Sequence, residues 1–256
     1  MTSLLPVLTF HALDESGSVI SCAPRVFREG MAMLDALGFR TLRLMEAVAR
    51  LREGDPFPDR TCVLTFDDGF QTVYTEAFPV LQRYAMSATV FLTVGAGDGL
   101  GAGERLPTFE GRPMLSWPEI REMQRAGIDF GAHTLTHPDL TRLSTERVAI
   151  EMAASKARIE NELGTPVTSF AYPFGRYDAV SRRLAQQHFS CACADTLGLL
   201  SRRSDPYALE RVDAYYLRTS RLFRLMASGL FPWYVRARNV PRRIRRVVRD
   251  RRGRGE

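Results

Sequence analysis

Two short stretches hold residues whose types and spacing could do chemistry. In Thr61–Phe70 (TCVLTFDDGF) an apolar, β-branched run ends in two adjacent carboxylates, Asp67 and Asp68, followed by Gly69. The run reads as a buried strand and the glycine as a turn. Neighbouring carboxylates repel each other unless one is protonated or a positive charge lies between them. A metal ion is the usual such charge. In His133–His137 (HTLTH) two imidazoles stand four residues apart. One Asp and two His suit a divalent metal that keeps open coordination positions. His11 ends a short apolar strand, and Phe170–Gly175 (FAYPFG) is an aromatic turn after another strand. His188, the fourth histidine, falls late in a helical stretch and reads as structural.

TFDDG followed by H-T-x-x-H resembles the polysaccharide deacetylases, the NodB-type carbohydrate esterases. FAYPFG resembles that family's third motif in its YPxG form. His11 in LTFHALD resembles the start of the branch that includes the poly-N-acetylglucosamine deacetylases. The similarity runs in consistent order from about Val7 to Arg211.

The resemblance implies a hydrolase that removes acetyl groups from an N-acetylated glycan or lipid-linked sugar. It implies one divalent metal ion on Asp68, His133 and His137, with zinc the first expectation and cobalt or nickel the alternatives. Asp67 is then the general base. The metal would hold Asp68 ionised, and its charge would help keep Asp67 ionised and basic. Hydrolysing an acetamide also needs a place for the oxyanion and a proton for the leaving amine. A backbone N–H in the Phe174 turn is the candidate oxyanion donor. Tyr172, Pro173 and Phe174 are expected to line the sugar site; the alternative is a buried strand-to-helix turn. The family's usual acid, a His in a C-terminal L-x-H motif, has no counterpart, because no His follows His188. His11 takes its place as candidate general acid, since an imidazole titrates near neutrality; the alternative is a core or turn histidine.

The sequence also departs from the family pattern. Ala171 or Tyr172 stands where an Arg usually tethers the base, so either Arg176 substitutes or Asp67 is held otherwise. No Asp-x-x-Asp-Trp fourth motif is present. Arg211 in LERVDAYY resembles the Arg that closes this branch's domain. These gaps leave a second reading, a catalytically weak carbohydrate-binding or regulatory protein on the same scaffold.

Strands and helices must alternate to hold these residues. Apolar runs at Val7–His11, Thr61–Phe66, Ala88–Val94, Ile128–Ala132, Val167–Ala171 and Phe189–Ala194 predict strands. Helical spacing or caps mark Pro24–Leu37, Leu42–Leu51, Thr75–Tyr84, Ser116–Ala126, a long helix from Ser144 or Thr145 to Leu163, and Tyr177–Gln187. Such alternation predicts a parallel α/β sheet or barrel. A barrel gathers its strand ends on one face, where every candidate residue lies. The resemblance narrows this to a distorted, incomplete (β/α) barrel of about seven strands. The glycine-rich stretch Gly95–Gly111 reads as a surface loop, a rim or lid for the site or simple disorder.

Charge is unevenly placed along the 256 residues. Residues 218–256 hold 13 Arg against Asp250 and Glu256, whereas residues 1–217 carry a net charge of −5. That division predicts a barrel domain over 1–217 and a basic amphipathic tail over 218–256. An acidic body argues against nucleic acid as partner despite the basic pI. The tail, with Trp233, Phe231 and Leu230 among its arginines, reads as a peripheral contact with an anionic membrane. The alternative is a tail packed partly on the barrel. The N-terminus runs straight into a strand without a leader pattern, and no stretch approaches the roughly 18 apolar residues of a spanning helix. The expectation is a cytoplasmic protein, held at the inner membrane face through its tail. Cys22, Cys62, Cys191 and Cys193 have no zinc-knuckle or disulfide spacing and read as buried thiols in a reducing compartment.

Overall fold

Near-continuous apolar runs such as VLTF and TCVLTF suit strands covered on both faces. A computed structural model describes residues 4–95, 104–109 and 111–239 and shows them so. The strands are β1 (Val7–Phe10), β2 (Arg40–Thr41), β3 (Thr61–Phe66), β4 (Thr89–Leu92), β5 (Asp129–Ala132), β6 (Ser169–Ala171), β7 (Cys191–Leu197) and β8 (Leu209–Asp213). Every residue of β1, β3, β4 and β6 is buried.

All strand pairs are parallel, and β1 bonds both β3 and β8. Seven strands therefore close a ring in the order β1-β3-β4-β5-β6-β7-β8, and β2 is added outside β3. This is the expected NodB-like (β/α) barrel, one strand short of eight. Register between β1 and β3 runs from Val7↔Val63 to Phe10↔Phe66. The ring is distorted where β7 meets β8, with a register shift between Cys193 and Leu197.

Helices cover the outside: α1 (Pro24–Ala36), α2 (Leu44–Glu53), α3 (Phe78–Arg83), α4 (Trp117–Arg125), α5 (Thr145–Leu163) and α6 (Ala179–His188). Their ends follow local rules. Ser116 and Glu119 form a reciprocal capping box at α4. Ser144 caps α5, and Gly164 ends it in the left-handed conformation. The helix expected over Thr75–Tyr84 begins instead as a π-helical turn, Val73–Ala77, before α3.

Two strands were not legible in sequence. β2 has only two residues, and β8 (LERVD) carries three charges in five positions. The four cysteines are unpaired and buried, and burial pushes the Cys62 thiol up to about 12.

After β8 the chain turns back on the barrel through α7 (Ser220–Phe223) and a helix over 231–239, here α8. Phe223, Phe231 and Val235 are buried in the main core. Asn239 Nδ2 donates to the Leu197 carbonyl at 2.8 Å, and the Tyr234 hydroxyl to that of Tyr216. So the part of the basic segment described, 218–239, packs on the barrel. Its remainder, 240–256, and most of the glycine-rich loop, 96–103 and 110, lie outside the described residues. Among the described residues no helix is long and apolar enough to cross a membrane.

Close packing inside the ring is testable at Gly131 of β5. A Cβ there would lie 2.5 Å from the Phe91 ring and 2.6 Å from Ser169 Oγ. Gly131→Ala should cost about 1–3 kcal/mol in urea unfolding, the usual price of overpacking.

Candidate active site

The strand ends converge on one cleft of about 490 Å³. At the end of β3 the Asp67 N–H bonds the Phe10 carbonyl, which continues the β1 ladder. Asp68 then adopts φ 71, followed by Gly69 at φ 88. Asp is one of the few side chains that tolerate this left-handed geometry. Both carboxylates line the cleft, and both residues are only 2% exposed.

His133 follows β5, and its N–H bonds the Leu92 carbonyl. Its Nδ1 lies 2.8 Å from the Ala171 carbonyl, which can only accept. The neutral ring therefore carries its proton on Nδ1 and leaves Nε2 bare. That Nε2 and the Nε2 of His137 each lie 3.4 Å from Asp68 Oδ1. Asp68 Oδ1 is buried and has no hydrogen-bond partner. His133 is thus near enough for Coulomb attraction but not aligned for a hydrogen bond.

One ligand atom from each of Asp68, His133 and His137 falls within 4.8 Å of the others. A buried, orphaned carboxylate oxygen facing two imidazoles is what a cation would satisfy, so these residues fit a metal ion. Burial opposes charge on Asp68, yet the imidazoles of His133, His11 and His137 draw its carboxyl below the usual range. Burial, with the neighbouring His133, pushes His137 down to about 4, which leaves it neutral as a ligand must be.

Asp67 is neutralised differently. Arg211 Nη1 and Nη2 donate to its two oxygens at 2.8 and 2.7 Å, a bidentate fork buried on both sides. Burial alone would raise the Asp67 carboxyl, but the guanidinium holds it well below the carboxylate range. Arg211 is fixed in turn by the Ala194 carbonyl, 3.0 Å from its Nε, and approaches Thr65 Oγ1. His11 Nε2 stands 3.8 Å from Asp67 Oδ2, with its side chain 19% exposed toward the cleft.

Of the two alternatives, Arg176 or another hold on Asp67, the second applies: Arg211 is the tether. Arg176 instead pairs with Asp139 at 2.7 Å, half exposed. The only advance signal was the Arg's place in the LERVD segment.

A second residue that sequence reasoning missed is Glu151 of α5, fully buried. Its carboxylate accepts from the N–H groups of Leu135 and Thr136 and from Thr136 Oγ1, all at 2.9 Å, and from Arg147. These bonds hold the HTLTH turn, in which Thr134 (φ 70) and His137 (φ 56) are left-handed. An acid on the apolar stripe Val148–Met152–Ser155–Ile159 was the available signal.

The FAYPFG turn corrects one expectation. Phe174 lines the cleft, but Tyr172 and Pro173 do not. Tyr172 is wholly buried and donates its hydroxyl to the Tyr207 carbonyl at 3.1 Å. Phe174, at φ 55, is 53% exposed. The left-handed residue breaks the strand's alternation and presents its ring to the cleft while the flanking side chains stay in the core. Phe174 and Phe109 flank His137 edge-on, with centroids 4.6 and 4.8 Å away. Phe109 thus brings the end of the glycine-rich loop into the wall. His188 lies outside the cleft, against Phe189.

The chain is similar to known proteins. A polysaccharide deacetylase family model matches residues 54–189. The protein YxkH of Bacillus subtilis (strain 168), whose name places it among the polysaccharide deacetylases, is 32% identical over 210 residues, 81% of this chain and 70% of that protein. A poly-beta-1,6-N-acetyl-D-glucosamine N-deacetylase of Staphylococcus aureus (strain MSSA476) is 30% identical over 161 residues, 58% of this chain. The chain spans 52% of that enzyme's length and 20% of its Escherichia coli (strain K12) namesake. Among solved structures, IcaB from Ammonifex degensii superposes with a TM-score of 0.72 at 26% identity, over 90% of this chain and 97% of that chain. The Streptococcus pyogenes deacetylase PplD has a TM-score of 0.74 at 24% identity, over 83% of this chain and 93% of that chain, a likeness of fold. A family match across more than half of the sequence, with a relative of which 70% is covered, makes this chain a member of the polysaccharide deacetylase family.

Proposed function

We propose that this hydrolase removes N-acetyl groups from an amino-sugar glycan or a lipid-linked sugar. In this reading residues 1–217 form the catalytic barrel, Asp67 is the general base and His11 the general acid. A divalent cation, zinc before cobalt or nickel, sits on Asp68, His133 and His137. The observation that carries the reading is the division of labour between the adjacent carboxylates. Arg211 clamps Asp67, while Asp68 turns an unpartnered oxygen to two imidazoles.

When bound, the cation supplies Lewis acidity toward the amide carbonyl and makes a water acidic near neutral pH. The protein's side chains do the rest. Asp67 is held ionised and oriented by Arg211, and each of its oxygens keeps lone-pair capacity beyond the fork. It takes the water's proton in the cleft. His11, beside Asp67 Oδ2 and open to the cleft, delivers a proton to the departing amine. The Phe174 N–H is the proposed oxyanion donor. The rings of Phe174 and Tyr215, both in the cleft wall and about half exposed, suit the apolar face of a sugar. A weak carbohydrate-binding role was favoured by a missing tether and a displaced acid. Arg211 fills the first place, and His11, the displaced acid, stands beside Asp67 in the cleft, which supports catalysis.

The decisive assay is acetate release from N-acetylglucosamine oligomers and lipid-linked N-acetyl sugars. Release should need added cation and should fall by about 10²–10⁴-fold in Asp67→Asn while bound metal, measured by elemental analysis, stays the same. Release that survives both chelation and Asp67→Asn would overturn the assignment.

Arg211→Met leaves Asp67 buried without its partner, which should cost about 3–5 kcal/mol of stability at neutral pH. Asp67's folded pKa lies below its unfolded value of about 3.9. The fork's contribution is therefore full above that value and is lost as pH falls toward the folded pKa. The gap between wild type and variant in urea titrations should accordingly narrow in acid.

Glu151→Ala frees the HTLTH turn. Cation affinity by equilibrium dialysis should drop about 10–100-fold, with the far-UV circular dichroism spectrum retained. An unchanged affinity would show that the turn holds itself.

A further inference from the structure

We propose that α8 and the loop after β7 form a docking face for an anionic phospholipid bilayer. α8 is two-sided. Phe231 and Val235 are buried against the barrel, whereas Leu230 and Trp233 are 63% and 67% exposed. The Arg236 guanidinium stands over the Trp233 ring, 5.5 Å from its centroid. An exposed indole under a guanidinium is the arrangement of an interfacial anchor, ring among the headgroups and cation at the phosphates.

Charge identifies the occupant. No Asp or Glu occurs from Ala214 to Arg249, and Arg218, Arg221, Arg224, Arg236 and Arg238 are all exposed on the described part of that stretch. Beside α8 lies a cavity of about 770 Å³. Arg202 and Arg203, from the loop after β7, line it together with Arg236 and with the apolar Leu4, Leu199 and Pro232. It holds one acid, Glu210, whose Oε2 is buried without a partner. A merely solvated face would mix both signs. A field of arginines, with Glu210 the one acid in the cavity lining, around exposed Trp and Leu is complementary to phosphate headgroups over acyl chains.

The face is compatible with the cleft. Ala194, Asp195 and Arg211 line the cleft, while Thr196, Leu197 and Glu210 line the cavity. Glu210 and Arg211 are successive residues of β8 and point to opposite sides, which puts that strand between the two. Docking would leave the cleft open to a lipid-linked or nascent chain. The proposal does not depend on the metal or on the roles of Asp67 and His11.

Tryptophan fluorescence of the full chain tests it, because Trp117 is buried and Trp233 is not. Phosphatidylcholine vesicles containing phosphatidylglycerol should shift the emission to the blue, and brominated acyl chains should quench it. Phosphatidylcholine alone should do neither. Trp233→Phe should abolish the quenching and leave activity on soluble oligomers unchanged. Arg202→Ala, Arg203→Ala and Arg236→Ala should each lower the partition coefficient about fivefold. Three results would overturn the proposal. One is sedimentation with the vesicles without quenching of Trp233, which places attachment elsewhere in the chain. Another is equal partition into neutral vesicles. The third is an emission shift with soluble RNA and none with vesicles, which marks a nucleic-acid surface.

Discussion

Two adjacent carboxylates, each almost without solvent, cannot both stay charged unless each has its own counter-charge. Much of the barrel's upper end answers that constraint. Asp67 takes a guanidinium that arrives from 144 residues further along the chain. Asp68 faces His133 and His137. The two solutions differ in a way that matters for chemistry. A bidentate fork satisfies Asp67 within the protein, whereas one Asp68 oxygen is buried without a hydrogen-bond partner. The fork also forces a topological condition. Arg211 reaches Asp67 only because β8 pairs with β1, which pairs with β3 in turn, so that ring closure and charge neutralisation are one requirement.

Backbone strain collects at the same place. Of the non-glycine residues with positive φ, Asp68, Thr134, His137 and Phe174 all belong to the strand-end turns that form the cleft. Such conformations persist only where surrounding bonds over-determine them. Glu151 does this for the HTLTH turn, and the Thr134 hydroxyl accepts from the His137 N–H at 3.0 Å. At Gly175, φ 61, a Cβ would lie 2.1 Å from the Asp195 Cβ, so the Phe174 turn is wedged against β7. The left-handed residues aim side chains that regular strand alternation would send elsewhere.

The C-terminal segment shows how one stretch can serve packing and surface at once. Phe223 and Phe231 belong to the main core, and Phe223 abuts Gly30 of α1 so closely that a Cβ there would lie 2.7 Å from its ring. Arg224, between them, stays exposed. Burial of one face fixes which residues the other face must present, and that is why Trp233 stands exposed on a helix that buries Phe231 and Val235.

Local spacing determined much of this protein. Hydrophobic period and turn residues marked six of the seven ring strands and most helix ends, because those signals act within a few residues. TFDDG and HTLTH announced Asp68, His133 and His137 for the same reason: each motif follows a strand end, and a parallel barrel gathers strand ends. What lay beyond local reach was decided by tertiary structure. Nothing near Asp67 in sequence says that Arg211 rather than Arg176 will clamp it, since the choice depends on β8 closing the ring. Glu151 holds the HTLTH turn from the buried face of a helix, a partnership set by how α5 lies on β5. Tyr172 and Phe174 are both aromatic and two residues apart, yet one is core and the other cleft, because a single left-handed residue redirects the chain. A buried charge or a strained turn needs a partner, and the sequence states the need; only the packed barrel supplies the partner.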